Sequence, residues 1–539
     1  MSAEHVEARP GAYADSVALM SISADVRRAD GVHAALIAMA TELNLGLLPE
    51  MGFRPPAGAG PNHLLIAIRA TGQAALSSAL AAVDAALTAR PAAEPGALAA
   101  AALPRTVGAA VRASGPGLAL ISVPGPYAFA EAMDALDAGC DVMIFSDNVP
   151  VEQEILLKDI AAQRDLLVMG PDCGTAIVGG VGLGFAHTLA AGPIGLVAAS
   201  GTGAQQVACL LDYAGTGVSA VLGVGGRDLS AAVGGRSARA ALTALDDDPG
   251  TNFIIVVSKP PDPDVAAGLR DYALTLATPV QFAFVGTGRP DLTAATEAAL
   301  RAIGQPVPAW PRWPGPSVAT PSVAVGSGEP RAGEPRAGEP REGALRGLFA
   351  GGTLCVEAMV IAAERLGPIR SNVPLQPELR LSPLGPVPGT TGPGTTGPGT
   401  TGPGTTGPGK TGPGGTATGH AMIDFGDDEL TEGRAHPMID QSLRIERLAI
   451  EAADPAVAVI LLDVVLGHGA HPDPAAELGP AIAAGRERGG AAFVVSLIGA
   501  RSDPQGLEAQ ASALQAAGAH VFGSNAAAAR FAVDLVARS

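Results

Sequence analysis

Ser200-Gly201-Thr202-Gly203 follows an apolar run and opens a helical stretch. Two of these positions lack a Cβ, so successive backbone N–H groups can close around an anion. The positive end of the helix dipole adds to that attraction. The chemistry this pattern suits is the binding of a phosphate or a carboxylate. The same residues also read as a Ser N-cap on a tight strand-to-helix turn. No Gly-Lys-Ser/Thr follows, and the spacing is not GxGxxG, so neither a Walker loop nor a dinucleotide loop is present here. Arg227-Asp228, behind Gly225-Gly226, could hold a ligand anion or close an internal salt bridge. Cys173 reads either as a thiol near an acyl group or as a buried, inert side chain. His468 and His471 form a metal or phosphoryl-acceptor pair, or are exposed loop residues. Asp427-Asp428-Glu429 is an acidic turn that could take Mg²⁺ or be solvated, and the Gly-rich run 180–184 reads as a β-turn.

These residues need elements to position them. Residues 118–123, 141–145 and 166–169 are short apolar runs, and the first two are each followed by a helix-length segment. Residues 194–198, 218–223, 253–257 and 280–285 repeat the pattern, and 456–465, 491–497 and 520–522 continue it. Strands that end in Gly-rich or polar turns and lead into helices indicate a parallel, doubly wound sheet. In such sheets a ligand sits beyond the C-terminal strand ends. That places Pro124, Gly125, Ser146, Asn148, Pro171, Asp172, Cys173, Gly225, Gly226 and Arg227 as candidate substrate-binding residues. Residues 32–40 and 63–70 are strand-like and 14–28 and 72–90 helical, which gives a small α/β or ferredoxin-like unit at the N-terminus.

Composition narrows the classes. The chain has 539 residues, 47% of them apolar, enough for two to four domain cores. Its net charge of −18 repels phosphate backbones, which argues against nucleic acid as a partner. Four cysteines (Cys140, Cys173, Cys209, Cys355) include no CxxC pair, so neither a metal site nor a disulfide framework is signalled, and a reducing cytoplasm fits. The N-terminus lacks the basic and apolar regions of a signal peptide. The longest apolar runs are far short of the ~20 residues of a membrane span. Much of the proline lies in two spacers. Residues 306–343 carry a Gly-Glu-Pro-Arg-Ala repeat, and residues 374–419 carry a Gly-Thr-Thr-Gly-Pro repeat. Neither has apolar periodicity, so neither can bury a face.

Taken in order, the turns resemble the succinyl-CoA synthetase superfamily, and within it the FdrA-like branch. Val-Pro-Gly-Pro-Tyr-Ala (residues 123–128), Met-Gly-Pro-Asp-Cys-Gly (169–174), Ser-Gly-Thr-Gly (200–203) and Gly-Val-Gly-Gly-Arg-Asp (223–228) follow the α-subunit's order. Phe-Ser-Asp-Asn-Val-Pro (145–150), Val-Gly-Gly-Arg-Ser (233–237) and Ser-Lys-Pro-Pro (258–261) are similar to the FdrA branch. So are Gly-Gly-Thr-Leu (351–354), Ile-Asp-Phe-Gly-Asp-Asp (423–428), His-Pro-Met-Ile-Asp (436–440) and Leu-Leu-Asp-Val-Val-Leu-Gly (461–467).

The resemblance implies an α/β chain in five parts, with a small unit at 1–110 and a Rossmann-like, CoA-binding-type domain at 111–190. Two flavodoxin-like ligase-type domains would follow, α-type at 191–305 and β-type at 344–539, joined by the spacer 306–343. The segment 374–419 would be an insertion in the second. In this superfamily two helix N-termini face each other around a phosphate. By resemblance these would follow Ser200–Gly203 and Gly467–Gly469, making Ser200, Gly201, Thr202, Gly203, Gly467 and Gly469 the phosphate-binding set. The family's phosphohistidine turn is here Gly286-Thr287-Gly288-Arg289-Pro290, without histidine. The Gly-rich loop for the CoA nucleotide is absent from residues 1–110, and no ATP-grasp domain is visible, so ATP would need a partner chain.

Three functions follow as expectations. One is an acyl-CoA synthetase subunit handling phosphate or acyl phosphate, with CoA as cofactor. Another is a CoA-free transferase, such as an oxamate carbamoyltransferase of allantoin degradation, which takes a small carboxylate and carbamoyl phosphate and acts with companion subunits. The third is a non-catalytic assembly subunit.

Overall fold

The computed structural model describes residues 2–10, 12, 16–88, 104–315, 343–382, 419–431 and 434–536. The repeats of both spacers lie outside them. The described residues form four sheets.

The N-terminal sheet is antiparallel, with Ala3–Pro10 and Val32–Met39 on either side of His63–Ala70. Helices Ser16–Arg28 and Gln73–Thr88 accompany it, and Leu19, Ile66, Ile68, Leu76 and Val83 belong to one apolar cluster. The edge strand Ala3–Pro10 is not evident from the sequence, because Val6 is its only large aliphatic residue and ion pairs hold its polar face. Glu4 meets Arg69 at 2.8 Å across the ladder.

The second sheet has three parallel strands, Leu118–Ile121, Asp141–Ile144 and Val168–Met169. Helices Gly125–Asp137 and Val151–Gln163 connect them, which is the Rossmann-like arrangement.

The third sheet carries four parallel strands in the order Val280–Phe284, Phe253–Ser258, Ala191–Ala199, Val218–Gly223. A hairpin, Thr175–Val178 and Val181–Gly184, closes its edge antiparallel. The Gly-rich run is therefore a hairpin whose turn glycines, Gly179 and Gly180, both have positive φ (57° and 78°), as a primed turn requires.

The fourth sheet runs Arg312–Trp313, His520–Phe522, Ala492–Ile498, Val457–Val465, Ala344–Phe349, Ala421–Asp424, Arg370–Ser371, and all but the first strand are parallel.

Two spacer boundaries need correction. Residues 306–315 are part of the fold, since Arg312–Trp313 pairs with His520–Phe522 and Arg312 lies 5.2 Å from the rings of Phe522 and Phe531. Trp310 and Trp313, in a chain with 3% aromatic residues, are the signal that anchors it. Residues 374–382 likewise hold a short 3₁₀ turn, Pro377–Leu379, and Leu381 donates back to Ser371 O. Beyond it, Arg370 N bonds His420 O at 3.1 Å.

The third and fourth sheets share one apolar cluster. Helices Gly201–Tyr213 and Gly352–Leu366 are buried over most of their length and belong to it. Their sequences are apolar nearly all round, as a helix enclosed on all sides must be. Gln206 seals the joint, taking the Asn525 N–H at 2.8 Å and giving Nε2 to Gly523 O at 3.1 Å. Tyr213 O–H donates to Gly499 O at 2.8 Å. Parallel strands in both sheets put their C-terminal ends on one edge, and the two edges meet.

Candidate functional site

The Gly201 and Gly352 helices meet start to start. Ser200 Oγ lies 2.6 Å from Thr353 Oγ1 and also caps its own helix through Gly203 N at 3.0 Å. The packing is reciprocal. A Cβ on Gly203 would lie 3.2 Å from the Thr353 methyl, and one on Gly351 would lie 2.8–2.9 Å from Thr202 atoms. Each helix offers a glycine to the other's threonine, so the two N-termini approach as closely as backbones allow. The first amides of a helix have no intrahelical partner. Those of Gly201, Thr202 and Gly352 stand at partly open positions here.

Ser200 itself is 7% exposed and its hydroxyl is engaged twice, so it shapes the turn and leaves anion contact to the amides. The Gly351 turn is held from below. Asp463 accepts from Ala350 N (2.7 Å) and Gly351 N (2.8 Å), and Arg444 Nη1 closes the carboxylate at 2.6 Å.

Two charged groups flank Gly352. A Cβ there would collide with Asp424 Oδ2 and lie 2.7 Å from Lys259 Nζ. Lys259 follows the strand Phe253–Ser258, whereas Asp424 ends the strand Ala421–Asp424. Gly426 N donates to Asp424 Oδ1 at 2.9 Å. Burial pushes the Asp424 carboxyl up to about 7, although Lys259 pulls the other way. His436 stands beside this pair, its Nε2 2.8 Å from where a Gly426 Cβ would be. Its Nδ1 accepts from Met438 N at 3.2 Å, so the neutral ring carries its proton on Nε2. Burial, and then Arg444, lower it to about 4, which keeps it neutral. An aromatic row, Phe145–Phe185–His436, with centroids 5.7 Å apart, joins three of the sheets at this point.

The other strand-end turns gather on the same side. Gly125 abuts the backbone of Asp147 and Asn148, and Gly225 (φ 89°) packs on Pro171 O, leaving no room for a Cβ. A Cβ on Gly226 would lie 3.1 Å from Asp172 Oδ2. Asn148 and Asp172 hold left-handed backbone (φ 53° and 57°), a strained state that concentrates at functional turns. Pro124 starts the helix Gly125–Asp137, and Ser146 Oγ ties that turn down through Val123 O. Arg227 is bound to Val149 O (2.7 Å) and Glu154 (2.9 Å). Behind it Lys158, Glu154 and Asp228 form a buried triad at 2.7 Å, so Asp228 is structural. Asp172 is exposed beside these turns, with the Asp428 and Asp147 carboxylates near it.

Three candidates stand apart from this cleft. Cys173 is 2% exposed, its Sγ faces Thr175 O, and burial pushes it up to about 12, which fits the buried, inert reading of this side chain. Gly467 and Gly469 do not open the helix that faces Gly201–Gly203. The Gly467 amide is spent on Gln505 Oε1 (3.0 Å) and the His468 amide on Ala186 O (2.8 Å). The helix that follows starts only at Pro474 and is capped by Asp473. The helix that faces Gly201–Gly203 is Gly352–Leu366. The two histidines also part company, since His468 meets Thr188 (3.0 Å) while His471 meets Arg28 (2.7 Å). A signal for this pairing of helix starts was present in the sequence. Gly201-Thr202 and Gly352-Thr353 repeat one dipeptide at two buried helix starts.

The buried acids carry a stability consequence. Asp424 and Glu357 are both raised to about 7, each chiefly by burial. Above the carboxylate range of about pH 4 the unfolded chain sheds these protons while the native state keeps them. Stability therefore falls as pH rises from about 5 to about 7, offset in part up to about 6.5 by His436, which burial keeps neutral in the native state. Glu477 and Asp503, which are lowered by their histidine partners against burial, act below this window. The midpoint of thermal unfolding should drop by several degrees over that range, and Asp424→Asn should flatten the slope. A midpoint that does not move would contradict the assignment.

Among the described residues no group of three or more His, Cys, Asp or Glu is arranged to hold a metal ion, and no helix is long and apolar enough to cross a membrane.

Residues 348–535 match the family model described as CoA-ligase, and residues 1–102 match the model described as AllF, heavy metal-associated domain. Residues 1–102 contain no cysteine, so the thiolates that soft metals select are missing and the residues do not fit such an ion. Uncharacterized protein YahF of Escherichia coli (strain K12) is 36% identical over 477 residues, covering 86% of this chain and 84% of that protein. Succinate–CoA ligase [ADP-forming] subunit alpha of Aquifex aeolicus (strain VF5) is 31% identical over 160 residues, 29% of this chain and 51% of that subunit. The match thus spans about half of that ligase subunit's length. A solved acetyl-coenzyme A synthetase 1 of Ca. Korarchaeum cryptofilum, in complex with phosphate and ADP, covers 78% of this chain and 82% of its own at 14% identity and TM-score 0.25.

Proposed function

Since the chain belongs to the YahF-like (FdrA) family of CoA-ligase-domain proteins, related to the alpha subunit of succinate–CoA ligase, we propose that it is an acyl-CoA-synthetase-like enzyme subunit that handles a phosphate or acyl-phosphate group between the Gly201 and Gly352 helix starts. The observation that carries this reading is the reciprocal packing of those N-termini with Lys259 beside them. Two positive helix ends and an ammonium group converge on one spot. An anion placed there gains from preorganised donors, and a leaving phosphate gains most as its charge develops.

CoA does not fit as well. A cavity of about 460 Å³ opens beside Leu120, Ser122, Phe145, Phe185 and Gly469. Its lining is mostly apolar and its one charged residue is Glu131, which would repel the phosphates of CoA. The turn after Val280–Phe284 also carries Thr287, exposed, where the resemblance places a phosphohistidine. Both features favour a second reading, in which an acyl or carbamoyl group moves directly from its phosphate to a small carboxylate-bearing acceptor such as oxamate.

The two readings separate in one assay. The purified chain with its companion subunits is given carbamoyl phosphate with oxamate, or acetyl phosphate with CoA, and phosphate release is followed. Acceptor-dependent release in either arm supports the phosphate site, and the arm that responds names the acceptor. Release in neither arm, with no phosphate binding by calorimetry, removes the reading.

A further inference from the structure

Asp424 has one carboxylate oxygen engaged and the other unused. Oδ1 takes the Gly426 amide, whereas Oδ2 accepts no hydrogen bond among the described residues. The side chain is 2% exposed, and Oδ2 points at the first residue of the Gly352 helix. A largely buried carboxylate whose second oxygen has no protein partner can meet a ligand on that side. Its surroundings are not those of a structural ion pair. Lys259 Nζ sits across Gly352 and makes no ion pair with it, and the main chain of Asp424 is separately pinned by Asn372 through both N–H (2.9 Å) and C=O (2.8 Å). The charged and titratable groups facing it are Lys259, Asp427, Asp463, the buried Cys355 of the Gly352 helix and, across Gly426, His436.

We infer that Asp424 is the general base of the reaction, taking the proton of an N–H or S–H nucleophile that attacks an acyl phosphate bound at the two helix starts. The inference rests on the phosphate reading above. The nucleophile's lone pair forms a bond to the carbonyl carbon, and the bond from that carbon to the bridging phosphate oxygen breaks. Its electron pair leaves on the phosphate, which Lys259 and the first-turn amides of both helices receive. The nucleophile's proton ends on Asp424 Oδ2. The Nε2–H of His436, on the other side of Gly426, is placed to donate to the carbonyl oxygen as it gains charge. A base poised near neutral pH takes a proton without being protonated beforehand, which is the working range for this role.

The test uses the full chain in the assay above. Asp424→Asn should lower kcat by about 10²–10⁴ while acetyl phosphate and carbamoyl phosphate still bind as to wild type by calorimetry. The acidic limb of the pH–rate profile should vanish with it. Asp424→Glu should restore part of kcat and bring back the limb. As a readout without turnover, ¹³C NMR of aspartate carboxyl carbons should show a resonance that titrates near neutral pH, is missing in Asp424→Asn and moves upward in pH in Lys259→Met. Wild-type kcat in Asp424→Asn, or an unchanged acidic limb, would overturn the role of Asp424 and leave the phosphate site standing. A wild-type chain that binds neither acyl phosphate would overturn both.

Discussion

Replacing Gly201 with aspartate will lower acyl-phosphate turnover by at least about a hundredfold, the scale set by losing one oxyanion donor, while the chain stays folded. A Cβ at Gly201 meets only Thr175 Oγ1, at 3.5 Å, which is ordinary contact, and its backbone φ is not left-handed. An added carboxylate would even favour the helix start by itself. It would, however, place a negative charge where the anion binds, beside the Gly352 helix start and Lys259. The loss should therefore appear in function and not in stability. Calorimetry should show no phosphate binding, and the thermal midpoint should stay within a few degrees of wild type. The same change at Gly352 cannot be used in this way, because a Cβ there would collide with Asp424. Retained phosphate binding in Gly201→Asp would remove Gly201 from the site.

Asp463→Ala will have the largest effect on stability. The Asp463 side chain is fully buried and the Arg444 side chain is 1% exposed. Removing the carboxylate strands a buried guanidinium and frees the amides of Ala350 and Gly351. Breaking one side of such a pair costs about 3–5 kcal/mol, a large share of the roughly 5–15 kcal/mol that holds a domain together. The change acts on function as well, since those amides set the turn that aims the Gly352 helix. Pairing it with Arg444→Met separates the two contributions. The double variant should unfold at a higher urea concentration than Asp463→Ala alone, because no unpaired charge remains, yet it should stay inactive because the turn is still unsupported. A loss below about 1 kcal/mol in the single variant would show that the pair does not hold the turn.

Much of the architecture could be read from the residues. The apolar strands of the two ligase-type sheets announce themselves because parallel strands are buried on both faces and read as continuous runs, as in Phe253–Ser258 and Val457–Val465. Ser200–Gly203 likewise shows as a helix start, because its cap chemistry is local. What stayed hidden depends on tertiary approach. Choosing Gly352 over Gly467 requires knowing which amides are spent, and the bonds from Gly467 to Gln505 and from His468 to Ala186 join residues distant in sequence. Lys259 and Asp424 sit at the ends of strands in different sheets, and only the packing of the two sheet edges brings them to one glycine. Cys173 was open to two readings for a related reason. Its place in a strand-end turn is correct, but its side chain turns inward toward Gly223 and Thr175.

The N-terminal unit adds a constraint that its sequence did not suggest. Arg27 reaches Asp440 at 2.9 Å, and Arg28 reaches His471 at 2.7 Å and Glu477 at 2.5 Å, so the unit is tied to the fourth sheet's loops. Asp440 lies four residues beyond His436. Without metal-binding thiolates, this docking is the physical role its residues support.

The most direct test of the central claim is a crystal structure of the chain soaked with inorganic phosphate or a non-hydrolysable acyl phosphonate. The account predicts density for the anion against the amides of Gly201, Thr202 and Gly352, within reach of Lys259 Nζ. An anion seated at Gly467–Gly469, or a Gly201–Gly352 cleft that stays empty at saturating phosphate, would contradict it.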